Sequence, residues 1–335
     1  MKLLGLLGKR RENTASAVSP RVVFVPNQGY TADALAAATP MLRKAGVSYG
    51  FCLEKGRPDY DDARSAIERL GETPHTMKEL RHAAGHGDVW VFSLDMPAKR
   101  RRVIELLRSR GVVTIGVQEG CRPSLRDRYR YVDRVLVWGR YAARMFEDTS
   151  TIVGSPRLER LQREARPLSG VAESDVAVIN LKGSVGPGYE SRVQVWLTAA
   201  IDAVTRCGLR PIVSKHFHSA DTPHDLEVND GPVEEAVLNA RVLISRPSTT
   251  VYEAMVLGRQ PLLFPLEDDP LCEFHNPHGA FPICWNAAQL AGGLNDYLSG
   301  EAGFSHGAFL SEVFDHNPQE PAGDRMALAI LDSLS

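Results

Sequence analysis

Cysteine is scarce in this sequence. Its five, Cys52, Cys121, Cys207, Cys272 and Cys284, are scattered and form no Cys-x-x-Cys pair, which argues against a disulfide framework or a redox dithiol and fits a reducing compartment. Long apolar runs are missing too, since none approaches the roughly 20 residues that a membrane-crossing helix needs. The opening MKLLGLLGKRR holds only a few apolar residues, with Lys9, Arg10 and Arg11 after them rather than before. That is the wrong length and order for a secretory signal, so a cytoplasmic location is expected. There is no GxxxxGK[ST] phosphate loop, no short-period repeat and no low-complexity tract, which sets aside a Walker-type loop, a solenoid and a disordered chain. What is present, 335 residues with 43% apolar and 24% charged side chains, suits a globular chain of two ordinary domains.

The net charge of -2 conceals an uneven distribution. Residues 1-166 carry 30 Lys and Arg against 19 Asp and Glu, a balance of +11; residues 167-335 carry 9 against 22, a balance of -13. Much of the excess lies in Lys99, Arg100, Arg101 and Arg102 and in Arg122, Arg126, Arg128, Arg130 and Arg134. Such a field favours an anionic partner for the first half: a phosphorylated ligand, an acidic glycan, a membrane surface or nucleic acid. A solvated basic face is the plain alternative. No nucleic-acid module is visible, so nucleic acid ranks last among these partners.

Short β-type runs alternate with helical patterns, which predicts an α/β chain with parallel sheets covered by helices. In the first half the strands are expected at Arg21–Val25, Val47–Phe51, Asp88–Leu94, Val112–Val117 and Arg134–Trp138, with helices around Ala32–Lys44, Asp61–Leu70, Met77–Ala84 and Ala98–Arg110. The pattern starts afresh at Asp175–Leu181 and continues with Arg210–Lys215, Arg241–Ser245 and Gln260–Pro265. Two Rossmann-like domains facing across a cleft follow, 1-166 and 167-335, joined near Arg163–Ser174, where Pro, Gly, Ser and charge replace periodic apolar residues. The final helix, expected at Asp324–Leu334, can return to the first domain.

In open parallel sheets ligands bind beyond the carboxyl ends of the strands. The segment Val233–Pro265 reads helix, strand, polar turn, helix, strand, with Ser248 as the expected N-cap and Glu253 on the following helix. Free N–H groups at Ser248, Thr249 and Thr250 would suit a nucleotide diphosphate, and Glu253 a ribose diol. An ordinary capped helix with a solvated Glu253 is the bland reading. KGSVGPGY, after the first strand of the second half, offers Lys182, Gly183 and Ser184 for close backbone approach to a phosphate, with a simple tight turn as the alternative. His216 follows Lys215 at another strand end, where an imidazole could meet a diphosphate leaving group.

Three stretches carry a family resemblance. ISRPSTTVYEAMVLGRQPLLF resembles the donor-binding turn of GT-B glycosyltransferases, in which Ser and Thr at a helix start bind phosphate and a Glu on that helix binds the ribose. GVQEGCRPSLRDRYRYVDRVLVWGRYAARMF, followed by TIVGSPRLERL, is similar to the end of the first domain in bacterial surface-polysaccharide transferases of the capsule and teichoic-acid type. The resemblance implies a GT-B transferase moving a sugar or polyol phosphate from a nucleotide-activated donor to a cell-surface glycan or lipid-linked acceptor. The first domain would then hold the acceptor, at Asn27, Gln28 and Arg122, and lie peripherally on an anionic membrane. The second would hold the donor, with Asn276 beside its sugar.

Two departures bear on the chemistry. Gln118-Glu119-Gly120 stands where relatives often carry a Gln-His-Gly turn, which leaves Glu119, and after it Asp95, as the candidate general base. Ser245 stands eight residues before Glu253, where retaining enzymes carry Glu, and this leans toward inversion. No acidic pair at a strand end demands Mg²⁺, and Cys272, His275, His278 and Cys284 match no trusted zinc spacing, so neither metal nor cofactor is expected. Glu267, Asp268 and Asp269 read as a loop beside the donor sugar, with Glu273 as a further sugar contact. A UDP-sugar 2-epimerase-like isomerase of the same fold, and a non-catalytic nucleotide-sugar or polyanion-binding protein, remain the alternatives.

Overall fold

The computed structural model describes residues 21-56, 59-93, 98-121, 125-165, 174-181, 189-215, 226-229 and 231-334. Among the described residues twelve strands form two fully parallel sheets. The first has the order β3-β2-β1-β4-β5-β6-β7 and is built from β1 (Val22–Val25), β2 (Tyr49–Leu53), β3 (His75–Thr76), β4 (Val89–Phe92), β5 (Val113–Val117), β6 (Arg134–Val137) and β7 (Ser150–Ile152). The second has the order β10-β9-β8-β11-β12 and contains β8 (Val176–Leu181), β9 (Arg210–Lys215), β10 (Glu227–Asn229), β11 (Val242–Ser245) and β12 (Gln260–Leu263). Strands buried on both faces read as unbroken apolar runs such as VVFV, VWVF and VAVINL, because helices cover both sides.

The covering helices of the first sheet are α1 (Gly29–Ala36), α2 (Thr39–Lys44), α3 (Tyr60–Arg69), α4 (Met77–Ala83), α5 (Ala98–Arg108), α6 (Leu125–Arg128) and α7 (Arg140–Phe146). The single helix expected over Ala32–Lys44 is broken at Ala37 and Ala38. Pro40 has no N–H to continue α1, and the Thr39 hydroxyl donates instead to the Ala36 carbonyl at 2.9 Å. After β7 the chain turns through Gly154, at φ +75°, into α8 (Pro156–Glu164), with Ser155 as its N-cap. The remaining helices are α9 (Tyr189–Arg206), α10 (Val233–Asn239), α11 (Thr250–Val256), α12 (Ala287–Leu298), α13 (Gly307–Val313) and α14 (Ala322–Leu331).

Two pieces of chain join the units. Leu158 and Leu161 of α8 share a core cluster with Tyr252 and Met255 of α11 and with Phe274, Phe309 and Phe314. The last helix, α14, goes back to the first sheet, where Met326, Ala327 and Ile330 pack with Leu35, Ala38 and Leu42. Its first N–H, at Ala322, donates to the buried Glu159 of α8 at 2.9 Å, so α8 caps the helix that returns. No helix among the described residues is long and apolar enough to cross a membrane.

Candidate functional site

Each sheet reverses its strand order once, between β1 and β4 in the first and between β8 and β11 in the second. Loops leaving the carboxyl ends of those strands part at these points and leave a crevice. Of the expected site residues, Asn27 and Gln28 follow β1 and Ser248 to Thr250 follow β11, both at a reversal, while Glu119 follows β5, the strand next to β4. Asp95, Arg122, Lys182, Gly183, Ser184 and His216 lie outside the described residues.

The turn after β5 is held from several sides. Gln118 is buried, and its Oε1 accepts the Trp138 N–H at 2.8 Å while its Nε2 donates to the Gly120 carbonyl at 3.3 Å. Gly116 leaves room for Tyr129, whose ring a Cβ there would meet at 2.4 Å. The Tyr129 hydroxyl in turn lies 2.7 Å from the carbonyls of both Ser93 and Val117, at the ends of β4 and β5. Glu119 is half-buried, and its Oε2 accepts from Asn27 Nδ2 at 3.3 Å. The two expected functional residues of the first unit, 92 positions apart, thus touch. Asn27 is buried, and its Oδ1 has no hydrogen-bond partner. Gln28 sits one step outward, its amide donating to Asp59 at 3.1 Å.

The same turn meets the second unit directly. The Cys121 N–H donates to Thr249 Oγ1 at 3.1 Å, and a Cβ on Gly120 would come within 2.6 Å of that oxygen. A side chain at position 120 would have to displace the Thr249 hydroxyl. The helix after β11 starts later than expected: Thr249 is its N-cap without a side-chain bond, and Ser248 lies before the helix, accepting the Thr250 N–H at 3.3 Å. Pro247 and the tight approach of Thr249 to Cys121 take up the residues that would otherwise open the helix. Behind the turn, Asn180 on β8 donates to Ser245 on β11 at 3.0 Å, tying the two strands that flank the crevice.

Glu253 is in the first turn of α11, with all seven residues of that helix buried. Its Oε1 lies 3.0 Å from Arg157 of α8, and its buried Oε2 has no partner. Burial pushes this carboxyl above the usual range, and Arg157 works against that shift. Glu253 is therefore an enclosed carboxylate facing the first unit, not a solvated side chain on an exposed helix. Arg157 also reaches Glu234 of α10 at 3.3 Å and lies over the Tyr30 ring at 5.0 Å. Arg157, Tyr30 and Glu234 were not singled out from the sequence. The one local signal was the Ser-Pro helix start before Arg157.

The acidic loop after β12 divides. Asp269 turns inward and clasps the buried Arg246, with Oδ2 2.7 Å from Nε; Asp268 is exposed and pairs with Arg192 at 2.9 Å. Glu273 also departs from its expected place beside a sugar. It is buried and accepts a hydrogen bond from the Tyr252 hydroxyl, and burial raises its carboxyl to about 7. The apolar Phe274 drags this 3-10 turn, Cys272–His275, into the aromatic cluster of Tyr252, Phe281 and Phe309. Asn276 stays exposed at the rim. The cysteine and histidine set of this loop does not converge, and no group of three or more metal-ligating side chains occurs among the described residues. A small cavity of about 20 Å³ lies beside Glu119, lined by Tyr30, Trp138, Ser155 and Arg157 among others.

No protein-family model matches the chain, and no curated protein sequence matches it. Solved structures do. A UDP-GlcNAc 2-epimerase from Methanocaldococcus jannaschii, in complex with UDP-GlcNAc and UDP, superposes with a TM-score of 0.64 at 11% identity, over 93% of this chain and 99% of that one. The spinosyn forosaminyltransferase SpnP gives 0.58 at 13% identity, over 94% and 99%. The wall teichoic acid polymerase TagF gives 0.51 at 12% identity, over 93% and 88%. At these identities the likeness speaks for architecture, and it spans both sheets. The chain has the GT-B fold, two parallel α/β units meeting at their strand ends, in common with glycosyltransferases and UDP-GlcNAc 2-epimerases.

Proposed function

We propose that this protein is a GT-B glycosyltransferase that takes a sugar, or a polyol phosphate, from a nucleotide-activated donor to a cell-surface glycan or lipid-linked acceptor. The observation that carries this reading is the meeting of the Glu119 turn with the Thr249 turn, through the 3.1 Å bond from Cys121 to Thr249. It sets a first-unit carboxylate beside the polar turn of the second unit, at the crevices where α/β sheets bind ligands. Ser248, Thr249, Thr250, Lys182, Gly183 and Ser184 are assigned to the diphosphate, Glu253 to the ribose and Asn276 to the sugar. His216 is assigned to the leaving group. Asn27, Gln28 and Arg122 are assigned to the acceptor.

In an inverting transfer the acceptor hydroxyl attacks the donor carbon from the face opposite the diphosphate. Glu119, or Asp95 in its place, takes the hydroxyl proton as the new C–O bond forms. The old C–O bond breaks with its electron pair passing to the β-phosphate, whose charge the N–H groups of the turn and Lys182 stabilise without a metal. The membrane-facing role of the basic first unit belongs to this proposal as well.

The second reading, a UDP-sugar 2-epimerase-like isomerase, is kept because epimerases and transferases superpose on the chain at similar scores. One experiment separates the two. The full chain is incubated with UDP-, CDP-, GDP- and ADP-linked donors, with and without glycan or lipid-linked acceptors. Nucleotide release that requires acceptor supports the transferase; conversion of the sugar without acceptor means an isomerase; binding without turnover means a non-catalytic protein. Glu119→Gln is expected to lower turnover by about 100-fold with donor affinity nearly intact. Full turnover in that variant would move the base to Asp95.

A further inference from the structure

Arg157 sits where three elements meet. As the second residue of α8 it approaches Glu253 of α11 at 3.0 Å and Glu234 of α10 at 3.3 Å, while its guanidinium lies 5.0 Å from the ring centroid of Tyr30 on α1. One cation therefore serves two carboxylates. Arg160, half-exposed on the same helix, reaches the other oxygen of Glu234 at 3.8 Å and leaves Arg157 as the close partner of Glu253. The Glu253 side chain is only 4% exposed, and its second oxygen meets no donor. A carboxylate so enclosed stays ionised only while a cation faces it; otherwise it takes up a proton. An ionised carboxylate accepts hydroxyl hydrogen bonds about twice as strong as those of a neutral group.

We infer that Arg157 is a positioning residue for the donor site, holding Glu253 as a carboxylate by one oxygen and leaving the other to accept a ribose hydroxyl. The inference rests on the reading of Glu253 as the ribose acceptor. It adds that the first unit takes part in donor binding without touching the donor, because Tyr30 fixes the guanidinium from the helix that follows Asn27 and Gln28. The charged and titratable groups facing Glu253 are Arg157 and Arg160 from α8, Glu234 from α10 and, across Arg157, Tyr30 from α1.

The test uses Arg157→Met, Arg157→Lys, Glu253→Gln and the Arg157→Met/Glu253→Gln pair in the full chain. Without its cation Glu253 is protonated in the folded state and ionised when unfolded, so the folded state binds more protons and stability falls as pH rises. Urea unfolding of Arg157→Met should show a penalty that grows from pH 5.5 to pH 8.5, while Arg157→Lys keeps most of the wild-type behaviour and the pair loses the pH dependence. In calorimetric titrations with UDP and CDP, Arg157→Met should bind at least tenfold more weakly than wild type at pH 7, and regain affinity by up to tenfold per unit toward pH 9. A penalty equal at every pH, in unfolding and in binding alike, would overturn the inference and leave Arg157 as packing between the units. Where wild type binds neither, the titrations are run with GDP and ADP; refusal of all four nucleotides means that the donor reading of the turn fails, while the unfolding series still decides whether Arg157 holds the charge of Glu253.

Discussion

Glu253 and Glu273 are both carboxyl groups enclosed by the second unit, and their neighbours treat them differently. Glu253 faces a guanidinium; Glu273 faces the phenol of Tyr252 and an aromatic cluster. With no cation near it, the Glu273 carboxyl is raised to about 7 by burial. In the unfolded chain it titrates near 4.3, so between that value and about 7 the folded state holds a proton that the unfolded state has lost. Stability from this group is fully present below the unfolded value and is lost as pH rises toward 7. Glu273→Gln keeps an acceptor for Tyr252 and cannot ionise. It should match wild type near pH 4.5 and exceed it by up to ~3 kcal/mol at pH 8 in denaturant unfolding. A constant difference across that range would mean that folding does not shift the ionisation of Glu273.

Helix ends and close backbone approaches decide how the elements lock. Arg259 is fully buried, and its guanidinium donates to the Leu238, Leu257 and Gly258 carbonyls at the ends of α10 and α11. The partial negative charge of two helix C-termini favours the guanidinium there. Gly139, between β6 and α7, is pressed under the returning chain: a Cβ there would lie 2.6 Å from the Val313 carbonyl carbon and 2.7 Å from the Phe314 nitrogen. Backbone cannot swing aside, so Gly139→Ala should cost ~1–3 kcal/mol and lower the thermal midpoint. Gly292→Ala, in the middle of α12 with nothing within 4 Å, should be neutral or stabilising by up to ~1 kcal/mol. Equal midpoints for the two variants would refute this account of the Gly139 contact.

The central strands were legible because burial on both faces writes them as continuous apolar runs, and β9 falls on Arg210–Lys215 as its sequence predicts. The edge strands β3, β7 and β10 were not, since two or three residues with one neighbouring strand carry no such run. Among the site residues, the strand-end positions of Glu119, Asn27 and Thr249 follow from alternating strands and helices. The partner of Glu253 does not. Arg157 is 96 positions away in the chain, on a helix whose place depends on how two units dock. Glu273 was misplaced for a similar reason, as the pull of Phe274 into a core shared with α8, α11, α13 and neighbouring strands has no local signature.

At the scale of the whole molecule the charge division of +11 against -13 falls between the two sheets. Part of the basic excess is displayed by α5 and the segment after α6, where Arg101 and Arg130 flank the Tyr131 ring at 4.9 and 4.7 Å. Basic residues near an anionic bilayer contribute about 1 kcal/mol each. The full chain should therefore sediment with vesicles containing phosphatidylserine at low salt, and release at about 0.5 M salt as screening shortens the reach of each charge. Equal and negligible pelleting on neutral and anionic vesicles would leave a soluble acidic acceptor, or a solvated face, as the use of that surface.

The return of α14 to the first sheet also sets an order of events during synthesis. The strands of that sheet are complete once the chain has passed Ile152, yet the helix that covers Leu35 and Leu42 begins at Ala322. At ~5–20 residues per second those positions emerge roughly 10–30 s apart. Throughout that interval the first unit is a finished sheet with an uncovered apolar face, while the second unit is assembled beside it. Sealing the first core consequently waits for α14, and chaperone contact with the nascent protein should concentrate on the face of α1 and α2 that awaits it.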